Sequence, residues 1–389
     1  MAFATIGTKG IEDAAIATAD IADNAVTSAK TSGIPARPNV QPLIINGNMA
    51  VAQRGTSATG KTGSGYYTCD RWNMSASSLG TWTQTQDSDV PTGYGFANSL
   101  KMDCTTADAS PAAGDNLALQ YSFEGQDLQL LRKGTSNAQK TTISFWVKSV
   151  KTGTYICEVY DHDNSRTIST AYTISSGSTW EQKIINVPGD TSGALDDNNA
   201  QSLSIQFHLA AGSNYTSGTL NTSWNANVNA NRMVGQVNLG DSTSNNFWIT
   251  GVQMEVGEYT SSTLPPFQHE SYGNNLARCQ RYYYKLAAGT NQVIGLGNGY
   301  ASTALQVVME FPTSMRADVS LDVVAGTDWY IGYGENGNDT FNSFNFATQS
   351  TSHDKVMCDA ASTWSGTQGS TYFVRTADSQ AYLAFSAEL

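Results

Sequence analysis

Three observations on the sequence predict an all-β protein. Only 14% of residues are charged while Gly, Ser, Thr and Asn are abundant, which is the composition of short strands joined by many turns. Apolar and polar residues alternate with a period of two in several stretches, as half-buried strands require. No helical pattern of about 12 residues separates those stretches, which favours an antiparallel jelly-roll β-sandwich over an α/β fold. With 389 residues, 40% of them hydrophobic, the chain can fill two cores. The expected architecture is a jelly-roll β-sandwich followed by a second, smaller β-sandwich, with a short N-terminal segment and one linker helix. The expected divisions are 1–40, 41–258, 259–286 and 287–389.

The composition also excludes function classes. A net charge of −12 without a local basic patch argues against nucleic acid as a partner. Five cysteines (Cys69, Cys104, Cys157, Cys279, Cys358) are an odd number with no C-x-x-C pair, so neither a disulfide framework nor a zinc site is expected. They read as small buried hydrophobes. No basic n-region with an apolar h-region and no run approaching 18 apolar residues is seen, so neither a signal peptide nor membrane insertion is expected.

Residues 11–30 repeat every five positions, with Ile11, Ile16, Ile21 and Val26 in register. A step of five advances an ideal helix by about 500°, so the four apolar residues share no helical face. One reading is a flexible Ala-rich tail. The other, preferred here, buries each lone apolar residue against sister chains or a docking platform. Pro35, Pro38 and Pro42 then make an extended linker.

The first large domain opens with LIINGNM. Its clearest strands alternate Ile143, Phe145 and Val147 with Ser144, Trp146 and Lys148; Tyr155, Cys157 and Val159 with Ile156, Glu158 and Tyr160; and Leu203, Ile205, Phe207 and Leu209 with Ser204, Gln206 and His208. In the closing strand Phe247 and Ile249 face one way, and after Gly251 the parity flips to Val252, Met254 and Val256. A flip at a glycine reads as a β-bulge. Pro265 and Pro266 stop that strand, and Leu276, Cys279 and Tyr283 at i, i+3, i+7 predict a short helix running into the strand Tyr282–Tyr284. Further strands are expected at Val293–Leu296, Ala304–Phe311, Val319–Val324, Trp329–Tyr333, Tyr372–Arg375 and Tyr382–Phe385, with a long polar connection from Tyr333 to Thr371.

Chemistry-bearing motifs are few. Gly55 to Thr62 match the phosphate-binding P-loop letter for letter, but no buried strand precedes them and no helix follows, so a loop between strands is expected. Asp161-His162-Asp163-Asn164 and Asp196-Asp197-Asn198-Asn199 lack the glycine and distant glutamate of a calcium loop and read as hydrated turns. His162, His208, His269 and His353 lie in unrelated contexts, and no catalytic constellation, metal site or cofactor motif emerges. Trp146, Tyr160, Trp224, Trp329 and Trp364 could stack on sugar rings, with core packing the commoner role for each.

Several strings resemble the bacteriophage tail-fibre and virion-fibre proteins. IADNAVTSAK is similar to their attachment segments. GVQMEVG, PPFQHESYG and LARCQRYYYK resemble their domain seam, and VVMEFPTSMRADVSLDV resembles a strand–turn–strand of their distal domain, with Asp318 standing where that pattern has proline. LIINGNM and FWITGVQMEVG resemble the outer strands of carbohydrate-binding jelly rolls. Tyr67 to Trp72 is similar to the Y-x-x-D-R-W string, in which Asp70 and Arg71 would pair beneath Trp72 as a structural lock. The resemblance implies a non-enzymatic structural fibre of a phage virion, displayed on the particle and binding a host surface glycan. It implies a homotrimer joined to other virion proteins through its N-terminal segment. A head-decorating or collar fibre, or a glycan-cleaving tailspike, are the alternatives. Since such a fibre presents its far end, ligand contacts are expected at Phe341, Phe344, Phe346 and Trp364 in the long polar connection.

Overall fold

The computed structural model describes residues 41–361 and 363–389. The repeat of Ile11, Ile16, Ile21 and Val26 lies outside them. Thirteen strands make the first sandwich among the described residues: β1 (Ser57–Lys61), β2 (Gly65–Tyr66), β3 (Trp72–Ser77), β4 (Thr81–Asp87), β5 (Ser99–Thr106), β6 (Asn116–Glu124), β7 (Thr141–Ser149), β8 (Gly153–Asp161), β9 (Arg166–Ile174), β10 (Glu181–Val187), β11 (Gln201–Ala211), β12 (Asn225–Ala226) and β13 (Asn246–Val256). They form a six-stranded sheet in the order β1-β4-β5-β13-β7-β10 and a seven-stranded sheet in the order β12-β9-β8-β11-β6-β3-β2.

All the strand pairings are antiparallel, and the alternation explains the layers. Phe145 and Val147 from one sheet meet Phe207, Leu119 and Tyr155 from the other in one buried cluster. Phe145 and Phe207 pack edge to face at 4.7 Å between centroids. The expected bulge is present: the β13–β7 register shifts between Thr250 and Gln253, and Gly251 has φ +61°. A Cβ at that glycine would lie 2.5 Å from the Phe96 ring. Because the bulge resets parity, Phe247, Ile249, Val252 and Met254 all enter the core.

A helix, Tyr272–Gln280, follows, its first turn capped by the Ser271 hydroxyl, which accepts from Asn274 N. The second sandwich holds β14 (Tyr283–Ala288), β15 (Val293–Ala301), β16 (Ala304–Glu310), β17 (Ser320–Val323), β18 (Tyr330–Gly334), β19 (Gly337–Phe341), β20 (Ser343–Thr351), β21 (Lys355–Ala361), β22 (Thr371–Thr376) and β23 (Tyr382–Ser386). Its sheets run β14-β23-β17 and β19-β18-β22-β15-β16-β21-β20. The stretch expected as a long polar connection is therefore largely sheet. Its Gly, Asn and Ser content hid the strands, while Thr and Phe side chains and hairpin pairing stabilise them.

The two sandwiches are joined by buried charge. Glu124 on β6 accepts from Arg281 Nε at 2.8 Å, Arg281 Nη2 at 2.7 Å and the Tyr282 hydroxyl at 2.5 Å. Arg71 is fully buried; it donates to Glu388 at 2.7 Å and to Ser122 O at 2.6 Å, with the Tyr282 ring 3.5 Å away. This corrects the expected Asp70–Arg71 pair. Asp70 and Arg71 lie in a tight turn, Arg71 in the left-handed region at φ +73°, and from there the Arg71 side chain crosses to the other sandwich while Asp70 accepts from the backbone and side chain of Gln53. Burial pushes the Asp70 carboxyl up to about 6. Trp72 enters the jelly-roll core and donates its indole N–H to Asn46 O at 3.1 Å.

Candidate functional site

The outward half of the alternation in the seven-stranded jelly-roll sheet builds the site. Antiparallel register sets Asn73 beside Gln120, Gln120 beside Gln206, and Gln206 beside Glu158. The next row sets Ser122 beside Ser204, and Ser204 beside Tyr160. A solvated sheet face would normally carry several Lys and Glu here; this one carries amides, hydroxyls, one aromatic ring and a single glutamate, Glu158. The segment after β12 closes one side with Asn227, Asn229, Arg232 and Met233, leaving an open groove of about 380 Å³. Ser75, Asn116, Gln120, Tyr160, His162 and Gln206 line the rest of it.

Beneath the groove lies a buried ionic network. Arg232 grips Glu158 with Nε and Nη2, both at 2.8 Å. Thr167 Oγ1 donates to the same carboxylate at 2.5 Å, and His208 Nε2 lies 2.9 Å from it. Complete burial alone would raise the Glu158 carboxyl, but the hydrogen bonds from His208 and Arg232 and the Arg232 charge hold it at about 2. Burial lowers the proton affinity of His208, so its imidazole is neutral with Nε2–H facing the carboxylate and Nδ1 left unpartnered. The ionised glutamate fixes the guanidinium, which in turn lies 5.1 Å from the Tyr160 ring centroid. His162, 4.7 Å from Tyr160 between ring centroids, is lowered chiefly by burial and stays neutral near pH 7.

Several uncommitted acceptors belong to residues that line the groove. Asn227 Oδ1 is buried without a hydrogen-bond partner. The amide nitrogens of Asn116 and Gln120 each give one N–H, to Tyr215 and Ser122, and among the described residues no donor bonds their carbonyl oxygens. An extended ligand carrying many O–H groups on a ring with apolar faces would match this surface, with the acceptors taking its protons.

The distal aromatic candidates are placed differently. Phe341 and Phe344 are fully buried, Trp364 is 4% exposed, and Phe346 packs against the same core cluster. Trp364 lies edge-on to Phe341 at 5.9 Å and to Tyr372 at 4.7 Å. The expectation of ligand contacts there is therefore corrected: the rings point inward because their segment is sheet, and the sheet has a core to fill. Trp146 packs on the exposed Tyr94 at 4.1 Å, Trp224 donates to Pro188 O, and Trp329 leans on the distal core. Of the five stacking candidates, only Tyr160 lines the groove.

The remaining motifs are structural as well. The P-loop-like string forms the edge strand β1. Asp161, expected in a hydrated turn, is buried and pairs with the Lys133 ammonium, which also reaches Asp190 at 3.0 Å and Gly193 O at 2.8 Å. A buried lysine needs such an oxygen nest, and it accounts for that turn without a metal. All five cysteines are free and buried. The groove residues were legible as the polar half of each alternation, but nothing in the sequence showed that loop residues 227–233 would cover them.

No protein-family model and no curated protein matches this chain. Among solved structures the chain is similar to the enzymatically active domain of tailspike protein 4 of Bacteriophage CBA120, at 13% identity and a TM-score of 0.29 over 55% of this chain, spanning only 21% of that one. It is similar to the family 11 carbohydrate-binding module of Clostridium thermocellum in complex with a mixed-linked β-1,3-1,4 tetrasaccharide, at 15% identity and a TM-score of 0.27, over 52% of this chain and 96% of that one. An exo-β-agarase matches at 11% identity and a TM-score of 0.26 over 57% of this chain and 26% of that one. At these scores the likenesses assign nothing by themselves.

Proposed function

We propose that this protein is a glycan-binding fibre protein of a phage virion and that the jelly-roll groove, rather than the distal sandwich, takes the glycan. The observation that carries the reading is the groove itself, where Tyr160 and a row of amides on one sheet meet a fixed Arg232 from the covering loop. Binding without cleavage fits its chemistry: Glu158, the carboxylate beneath the groove, is ionised and held by Thr167, His208 and Arg232, so it is poorly placed to exchange a proton with substrate. Display on a virion and assembly as a homotrimer rest on the sequence resemblance. Assembly is further supported by an exposed apolar row on the distal seven-stranded sheet. Phe373 stands between Tyr333 and Leu296, Gly297 pairs with Val307 so that Leu296 abuts Val308, and Val308 faces Met357. Leu296 is 65% exposed and Phe373 42% exposed, so sister chains are the expected cover.

Native electrophoresis through gels holding soluble polysaccharides tests the reading. The wild-type chain should be retarded with the polysaccharide length unchanged, while Tyr160→Ala, still folded, should run freely, its affinity down about tenfold or more, or roughly 1.4 kcal/mol. Shortening of the polysaccharide would replace this function with that of a glycan-cleaving tailspike. Retardation of Tyr160→Ala equal to wild type would move the site elsewhere.

A further inference from the structure

We propose, resting on the glycan reading above, that the groove selects an uncharged glycan and discriminates against chains bearing uronate, sialate, sulfate or phosphate. The argument is one of hydrogen-bond supply. Asn227 Oδ1 is buried and unpaired, and among the described residues no donor bonds the carbonyl oxygens of Asn116 and Gln120, while each of their amide nitrogens gives one N–H, to Tyr215 and to Ser122. Such a lining of neutral amides, with both acceptors and N–H groups to offer, suits a ligand that both donates and accepts. A sugar hydroxyl supplies a proton and accepts one, whereas a carboxylate or sulfate oxygen offers only lone pairs and would face like oxygens across the groove.

The one cation in the lining does not reverse this. Arg232 commits Nε and Nη2 to the buried Glu158 carboxylate, so the pair is neutral to a ligand, and its remaining N–H groups serve as ordinary hydrogen-bond donors. His162, the other basic residue in the lining, is neutral near pH 7 because it is partly desolvated. The chain as a whole carries −12, which repels a polyanion before contact and leaves a neutral chain unaffected. Discrimination against acidic glycans thus arises both at long range and at the contact surface.

A glycan array carrying neutral and acidic glycans, probed with the full chain at low and high salt, tests the inference. Signal confined to neutral glycans, unchanged by salt and lost in Tyr160→Ala, is the expected result. In a second variant, Gln120→Lys, a cation replaces an acceptor, and signal should shift toward acidic glycans and become salt-sensitive. Wild-type signal confined to acidic glycans and falling with salt would overturn the neutral selection while leaving glycan binding intact. An array blank for wild type would overturn glycan binding and this inference with it. Signal surviving in folded Tyr160→Ala would place recognition outside the groove and overturn the inference too.

Discussion

The two seven-stranded sheets of this molecule are built alike and finished differently. Each turns one face to a core and the other away from it, and on the jelly-roll sheet a returning loop covers part of that outer face. On the jelly-roll sheet the outward rows are Asn73, Gln120, Gln206 and Glu158, then Ser122, Ser204 and Tyr160. On the distal sheet the corresponding row is Tyr333, Phe373, Leu296, Val308 and Met357. A face of amides and hydroxyls has little to gain from excluding water and much to gain from a hydroxylated ligand. A face of aliphatic and aromatic groups gains from burial at roughly 25 cal/mol per Å² and offers few polar contacts. Under the function proposed above, the contrast gives them opposite partners: a sugar chain for the first and protein for the second.

The sharpest way to break this comparison is Trp364→Ala. If the distal aromatics serve the core, the variant should lose about 3–5 kcal/mol in denaturant unfolding and bind glycan normally while folded. A stable variant that no longer binds would return the ligand site to the distal sandwich. Next comes Arg232→Ala, which leaves the Glu158 carboxylate buried with its charge partner gone. A loss of about 3 kcal/mol or more is expected, together with loss of polysaccharide retention, because the groove wall is then unanchored. An unchanged unfolding midpoint would mean that the network is not held as described.

Phe373→Asp addresses the other sheet. Its side chain is 42% exposed and outside the core, so unfolding of the chain should shift by no more than about 0.5 kcal/mol, while sedimentation or light scattering should report dissociation toward the 41.5 kDa single chain. An assembly unaffected by the charge would show that the apolar row is not the contact. A last test concerns pH. Glu158 has a folded pKa of about 2, below its ordinary 4.5. Its stabilisation is therefore fully present above about pH 4.5 and fades as pH falls toward 2. In Glu158→Gln, the slope of stability against pH over that interval should fall by about one proton. An identical slope in variant and wild type would remove Glu158 from the acid limb.

Much of the fold was legible because strand periodicity is a local property. The alternations at Ile143–Lys148, Tyr155–Tyr160 and Leu203–Leu209 became β7, β8 and β11, and the parity flip at Gly251 became a bulge, since a side chain on the wrong face of a half-buried strand is costly. The helix Tyr272–Gln280 announced itself through Leu276 and Cys279. The hairpins from β19 to β21 were hidden because Gly, Asn and Ser serve turns and edge strands alike, and only pairing decides between them. That ambiguity put Phe341, Phe344 and Trp364 in a loop when they belong to a core.

The sequence by itself determined which residues share a face, because side-chain direction follows from two torsion angles per residue and repeats every second position. It did not determine what each face meets. Arg71 finds Glu388 317 positions away, Glu124 finds Arg281 across 157, and Arg232 finds Glu158 across 74. Such partners are chosen by how sheets stack and where loops return, and a buried charge accepts whichever opposite charge the packing brings within hydrogen-bond reach. The groove follows the same division: its polar rows were written in the alternation of β6, β8 and β11, whereas the wall of Asn227, Asn229 and Arg232 that turns a flat sheet face into a site came only from the return of the chain over it.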